Sequence, residues 1–136
     1  KTKVSNRFFN YIYVRTGEHT FIRKRTGNDI WKNLYEPLLI ETDEALAEND
    51  GTLVQRLQEV LGKPTDIFLR TIRRGVKHVL SHRVIYADFH ELVLPEDFDS
   101  LDGYQKVAIE DLNKFAVSNL VYQFFSLILE PNNQKV

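Results

Sequence analysis

The 136-residue chain contains no cysteine. A disulfide framework, an iron–sulfur cluster, a zinc–thiolate site and a cysteine nucleophile are all excluded from it. It contains no apolar run of membrane-spanning length, so neither a transmembrane helix nor a membrane partner is expected. It contains no methionine and opens on KTKVSNRFF without a signal-like apolar segment, so it is expected to be a piece of a longer protein. Internal repeats and low-complexity tracts are missing as well.

Aromatic residues, by contrast, are plentiful: nine Phe and six Tyr. That content argues for a packed core and against disorder. The length fits one domain, residues 1–136, with 1–6 expected as a linker and 131–136 as a frayed tail. The formal net charge of −1 hides a pattern. Residues 1–33 carry eight Lys/Arg against two Asp/Glu, and residues 63–83 carry six against one. Residues 34–62 and 84–136 are acidic in the same measure. Two basic blocks separated by acidic ones either alternate as solvated surface or fold into one positive face, as phosphate binding requires.

Arg7–Thr16, RFFNYIYVRT, is apolar on both alternating faces and reads as a central strand. Thr20–Arg25 returns as its hairpin partner, with Arg23 and Arg25 on one face and Lys24 on the other. Leu38–Glu41 reads as a short strand after Pro37. Thr52 and Gln55 fit a capping box for a helix carrying Leu53, Leu57, Val60 and Leu61; Gly62 and Pro64 stop it. Ile67–Ile72 is expected as a strand, Arg73-Arg74-Gly75 as a turn and Val76–Leu80 as another strand. Val84–Leu94 is the long return strand, with Ile85, Ala87 and Phe89 on one face. Pro95–Gly103 is an acidic loop, Tyr104–Val107 a short strand and Ile109–Phe115 a helix. Ser118 caps a last helix whose apolar face is Leu120, Val121, Phe124, Phe125 and Ile128, ended by Pro131. Strands, one helix, strands and C-terminal helices in that order give an α+β class.

One stretch stands out chemically. Val76–Phe89 sets Leu80-Ser81-His82 between two apolar strands, flanked by Arg73, Arg74, Lys77 and Arg83. Ser81 and His82 are adjacent on extended backbone and point to opposite faces, so they do not form a nucleophile–base pair, and no G-x-S-x-G elbow is present. His78, His82 and His90 lack carboxylates in ligand spacing, apart from Asp88 and Glu91; ordinary surface or hydrogen-bonded histidines are the plainer reading.

Trp31–Gly62 resembles the Nudix fold family, in which an aromatic stretch, an acidic loop and a helix ending in Gly carry the box G-x5-E-x7-R-E-U-x-E-E-x-G-U. With the box glycine on Gly62, Gln55 and Arg56 stand at its Arg-Glu, and Glu59 and Val60 at its Glu-Glu. The upstream Gly and Glu fall on Glu41 and Ala47. A hard divalent cation needs several carboxylates, and one remains. The resemblance therefore implies a Nudix-like mixed sheet flanked by helices, without a functional box, a metal site or catalytic residues.

Such a domain resembles the C-terminal domain of the MutY family of adenine DNA glycosylases, and looks most like its Bacteroidetes-type members. The resemblance covers most of the chain: NRFFNYIYVR, TFIRKRTGNDIWKNLYEPLLIE, VKHVLSHRVIYADFHEL and GYQKVAIEDL. Leu80-Ser81-His82 matches the family's Phe-Ser-His loop, with Leu80 in place of Phe. The resemblance implies that these three residues contact 8-oxoguanine opposite adenine in double-stranded DNA. It also implies a cytoplasmic bacterial base-excision-repair enzyme, whose separate N-terminal domain holds the catalytic carboxylates and an iron–sulfur cluster. Arg73, Arg74, Lys77 and Arg83, with Lys24 and Arg25 from the hairpin, are the candidate phosphate contacts. A serine hydroxyl both donates and accepts, as the altered edge of 8-oxoguanine requires. A divergent nucleotide hydrolase and a protein-interaction module are the alternatives.

Overall fold

The structure is a computed structural model and describes residues 3–48, 50–63 and 65–129. Its organising element is β1, Ser5–Thr16. Aromatic and β-branched residues suit a pleated surface packed on both sides. Phe9, Tyr11 and Tyr13 go to one face, Ile12 and Val14 to the other, and all five are buried. Four further strands build out from β1: β2 (His19–Lys24), β3 (Tyr35–Glu36), β4 (Leu38–Thr42) and β6 (Arg83–Leu94). The sheet order is β3-β2-β1-β6-β5, where β5 is Leu69–Val79; β4 also pairs β1, and β7 (Gln105–Ala108) pairs β2. β1 and β6 run parallel from Ser5 beside Arg83 to Thr16 beside Leu94. A parallel pair needs a long crossover, and the chain between the two strands supplies it with α1, Thr52–Leu61.

Each face of the sheet has its own cover. Helix α1 places Leu53, Leu57 and Leu61 four residues apart against Ile12, Val14, Leu38 and Leu92. Burying such a side chain contributes about 1.5–3 kcal/mol. Helix α2, Asn119–Leu129, covers the other face with Leu120, Val121, Phe124 and Phe125 against Phe9, Tyr11, Tyr13, Ile85, Ala87 and Phe89. Phe89 and Phe124 stack at 4.4 Å between ring centroids. The Ser118 hydroxyl caps α2 by accepting the Val121 amide at 3.1 Å.

The α+β class, the central strand, the return strand and the two apolar helix faces are as the sequence predicts. Several local expectations are corrected. Thr52 does not form a capping box: Gly51 is the N-cap, and the Asp50 carboxylate, two residues upstream of Thr52, accepts both its amide and its hydroxyl. Arg73-Arg74-Gly75 is not a turn, because β5 passes through it as one strand with two bulges. Residues 109–114 wind as a 3₁₀ segment rather than an α-helix. Ser5 and Asn6, expected in a linker, already pair with Arg83 and Val84. The helix stop at Pro64, the one at Pro131 and the tail 131–136 lie outside the described residues.

Candidate nucleic-acid interface

Helix α1 stands where metal chemistry would have to sit. Gly62 closes it in the left-handed region at φ 76°. Gln55, Arg56 and Glu59 are exposed on its outer side, and Gln58 donates its amide to the Thr65 carbonyl at 2.9 Å. Glu41, at the box's first position, is held by Arg7 at 2.7 Å, and Arg7 also grips Asp29 at 2.8 Å. That hydrogen-bonded guanidinium holds the Asp29 carboxyl down at about 2. The donor set does not fit a hard divalent cation: α1 carries a single carboxylate, Glu59, and the described residues contain no cluster of three potential ligands.

The three central histidines are equally dispersed. His78 pairs opposite Ile85 and meets the Trp31 ring edge-on at 5.6 Å. His82 is exposed in the turn. His90 is buried, with Nδ1 3.1 Å from the Thr71 hydroxyl. Burial lowers the His90 pKa below its ordinary value, so the ring is neutral near pH 7.

β5 and β6 form a long hairpin whose tip is Leu80-Ser81-His82. The Leu80 amide donates to the Arg83 carbonyl at 2.8 Å and closes the turn. The His82 carbonyl accepts the Ser5 amide at 3.1 Å, tying the tip to the start of β1. Leu80 is half-buried against the α2-side core, whereas Ser81, His82 and Arg83 are exposed. The trio thus divides: Leu80 anchors the loop from behind, and Ser81 and His82 face outward.

The predicted cations divide as well. Arg73, Lys77 and Arg83 are exposed, and make no ion pair among the described residues. Arg74 is exposed but engaged: it donates to the Leu46 carbonyl and lies 3.5 Å from the Asp88 carboxylate. Arg25 is only 10% exposed and is shared between Glu36 and Asp29. Lys24 is exposed, but it leaves β2, which lies beyond both β6 and β1 from β5. The structure therefore sets Arg83 directly after the tip and Lys77 close to it, opposite Tyr86, leaves the exposed Arg73 farther down the hairpin opposite Phe89, and leaves Lys24, Arg25 and Arg74 out.

The parallel pair joins the tip to an acidic loop at its far end. β1 and β6 start at the tip and finish at Gly17-Glu18 and the acidic Pro95–Gly103 loop. The two lie close: a Cβ on Gly17 would come within 2.8 Å of the Glu96 side chain.

One residue of the hairpin escaped the sequence reading. Asp88 of β6 accepts the Gly75 amide at 2.8 Å. The signal was a glycine inside a strand-like run, which marks a bulge as readily as a turn.

The fold and the remodelled helix define a class. The NUDIX domain family model matches residues 10–127, and the chain belongs to that family. Among solved structures, the chain is similar to the C-terminal domain of mouse MUTYH, whose structure is a complex with human PCNA. The TM-score is 0.70 at 17% identity, over 96% of this chain and 91% of that one. It is also similar to the Escherichia coli ORF135 protein, with a TM-score of 0.64 at 13% identity, over 97% and 94% of the two chains. A MutT protein from Methanosarcina mazei gives 0.63 at 12% identity, over 99% and 100%. At these identities the likeness is one of fold. No curated protein sequence matches the chain.

Proposed function

We infer that this chain is the lesion-recognition domain of a MutY-type adenine DNA glycosylase, on its sequence a Bacteroidetes-type one, and that it reads 8-oxoguanine opposite adenine in duplex DNA. The observation that carries the reading is the hairpin tip: Ser81 and His82 are exposed next to Arg83, with the exposed Lys77 and Arg73 farther along β5, while α1 keeps a single box carboxylate, Glu59. The likeness in fold to a MUTYH C-terminal domain supports it.

The chemistry follows from the oxidised base. 8-Oxoguanine carries an acceptor at C8 and a donor at N7, where guanine has only the N7 acceptor. The Ser81 hydroxyl matches the altered edge with one group that gives and takes a hydrogen bond. It can also donate to guanine N7, so a single serine discriminates modestly. A net contact of about 0.5–1.5 kcal/mol corresponds to roughly a few-fold to tenfold. Arg73, Lys77 and Arg83 neutralise phosphates beside the lesion and fix the register without reading sequence.

In this reading the chain itself is non-catalytic and holds no cofactor. Base excision belongs to a separate N-terminal domain of the parent enzyme, which carries the catalytic carboxylates and an iron–sulfur cluster, in a bacterial cytoplasm. The test is single-turnover adenine excision by the parent enzyme carrying Ser81→Ala with His82→Ala. Preference for 8-oxoguanine:adenine over guanine:adenine duplexes should fall about tenfold; an unchanged preference removes the tip from recognition.

A further inference from the structure

The tip sits at the end of a strand that is not regular. Thr71 pairs with His90, Arg73 with Phe89 and Val76 with Ala87. Five steps along β5 thus answer three along β6, so two extra residues are taken up between Thr71 and Val76. Each single-residue bulge turns the following side chains to the other face and increases the local twist. The first bulge puts Arg73 opposite Phe89. The second, at Arg74-Gly75, restores the alternation that carries Lys77 opposite Tyr86 and His78 opposite Ile85.

The second bulge stands opposite Asp88 and is held by it. Oδ1 of Asp88 accepts the Gly75 amide at 2.8 Å, where Gly75 adopts φ 66°. Oδ2 lies 3.5 Å from Arg74 Nε, and Arg74 reaches on to the Leu46 carbonyl. The carboxylate is 15% exposed. An amide that a bulge removes from the ladder needs another partner, and at this exposed position the carboxylate takes the place of water. One side chain thus accepts the bulge amide and engages the neighbouring arginine.

We propose that Asp88 is a positioning residue of the interface: its carboxylate fixes the Arg74-Gly75 bulge, and through it the aim of Lys77 and the Leu80-Ser81-His82 tip. The proposal rests on the functional reading above, and its ligand is the same lesion-containing duplex. Asp88 does not touch the DNA. It acts through the strand.

The experiment compares Asp88→Ala, Asp88→Asn and Arg74→Ala with the unsubstituted chain. One readout is the ratio of affinities for 8-oxoguanine:adenine and guanine:adenine duplexes. The other is the set of amide NMR shifts at Lys77, Ser81 and His82, with hydrogen exchange at Gly75. Asp88→Asn keeps an acceptor for the Gly75 amide, so it should hold the shifts and the preference near those of the unsubstituted chain. Asp88→Ala should shift the tip amides, expose Gly75 to exchange and lower the preference by about two- to tenfold, the equivalent of one neutral hydrogen bond. Arg74→Ala should leave the preference unchanged. A loss of thermal stability in Asp88→Ala with an unaltered preference would reduce Asp88 to a structural residue and overturn the proposal. If the unsubstituted chain shows no lesion preference but Asp88→Ala alone moves the tip amides, the functional reading fails while the coupling of Asp88 to the tip stands. Tip amides that stay in place in Asp88→Ala overturn the coupling whatever the DNA result.

Discussion

Helix α1 and the β5–β6 hairpin occupy opposite roles. The helix is rooted in the core: Leu53, Leu57 and Leu61 are buried, while its outer side presents Gln55, Arg56 and Glu59, the last its only carboxylate. The hairpin is rooted by its base and by Leu80, and its tip presents a serine, a histidine and free cations. The Nudix helix is kept as architecture and carries one of the box's several carboxylates, Glu59. The hairpin has little packing to offer at its end and carries the polar groups instead. Family membership, shown by residues 10–127, therefore says where the helix lies but not where the work is done.

Four comparisons sharpen that contrast. The largest effect is expected in the helix and on stability alone. Leu57→Ala removes a fully buried side chain and should cost about 2–5 kcal/mol in denaturant unfolding. Ser81→Ala, at the exposed tip, should stay within about 0.5 kcal/mol. A tip substitution as costly as the helix one would break the comparison.

The next effect is on binding. Lys77→Ala and Arg83→Ala should each weaken DNA binding several-fold at low salt. Each should also reduce the slope of log affinity against log salt by about one. Arg25→Ala, which removes a residue already committed to Glu36 and Asp29, should destabilise the fold and leave that slope unchanged.

Acid should act on the scaffold in two windows. The folded state lowers the pKa of His90 by burial. A base that is disfavoured as its cation stabilises the fold above its ordinary value near 6.5, and that contribution fades as pH falls below it. Asp29 is held at about 2 by Arg7. Its contribution is present above the ordinary carboxylate value of about 3.9 and is lost as pH falls from there through 2. Thermal melts of Asp29→Asn should therefore show a shallower loss between about pH 4 and 2, and the same slope near pH 6.

The smallest effect is expected at Glu59. Glu59→Gln should change neither melting temperature nor DNA affinity, and magnesium should not stabilise the chain or support hydrolysis of oxidised guanine nucleotides. Magnesium-dependent pyrophosphatase activity lost in Glu59→Gln would restore the helix to chemistry and favour the hydrolase alternative.

What could be read from the sequence follows from how local each cause is. β1 and β6 declare themselves because long aromatic and β-branched runs have few other uses, and α2 because its apolar face repeats at helical spacing. The bulged β5 does not, since Arg73-Arg74-Gly75 reads as a turn until Asp88, thirteen residues away, is seen to accept the Gly75 amide. The capping box at Thr52 failed because the helix starts one residue earlier: the Gly51 carbonyl accepts the Gln55 amide, and Asp50 takes the Thr52 amide and hydroxyl. The alternation that puts Arg23 and Arg25 on one face was legible; the carboxylate that neutralises both, Glu36, arrives from β3 across the sheet. The Ser-His pair was visible as a motif, but only the fold distinguishes Leu80 as the inward anchor from Ser81 and His82 as the outward pair.

The most direct test places both regions in one titration. The unsubstituted chain, Ser81→Ala with His82→Ala, and Glu59→Gln are bound to 8-oxoguanine:adenine and guanine:adenine duplexes without magnesium, and the affinity ratio is compared. The ratio should collapse toward one in the tip variant and hold in the helix variant. A ratio that survives loss of Ser81 and His82, or that falls with Glu59, contradicts the account.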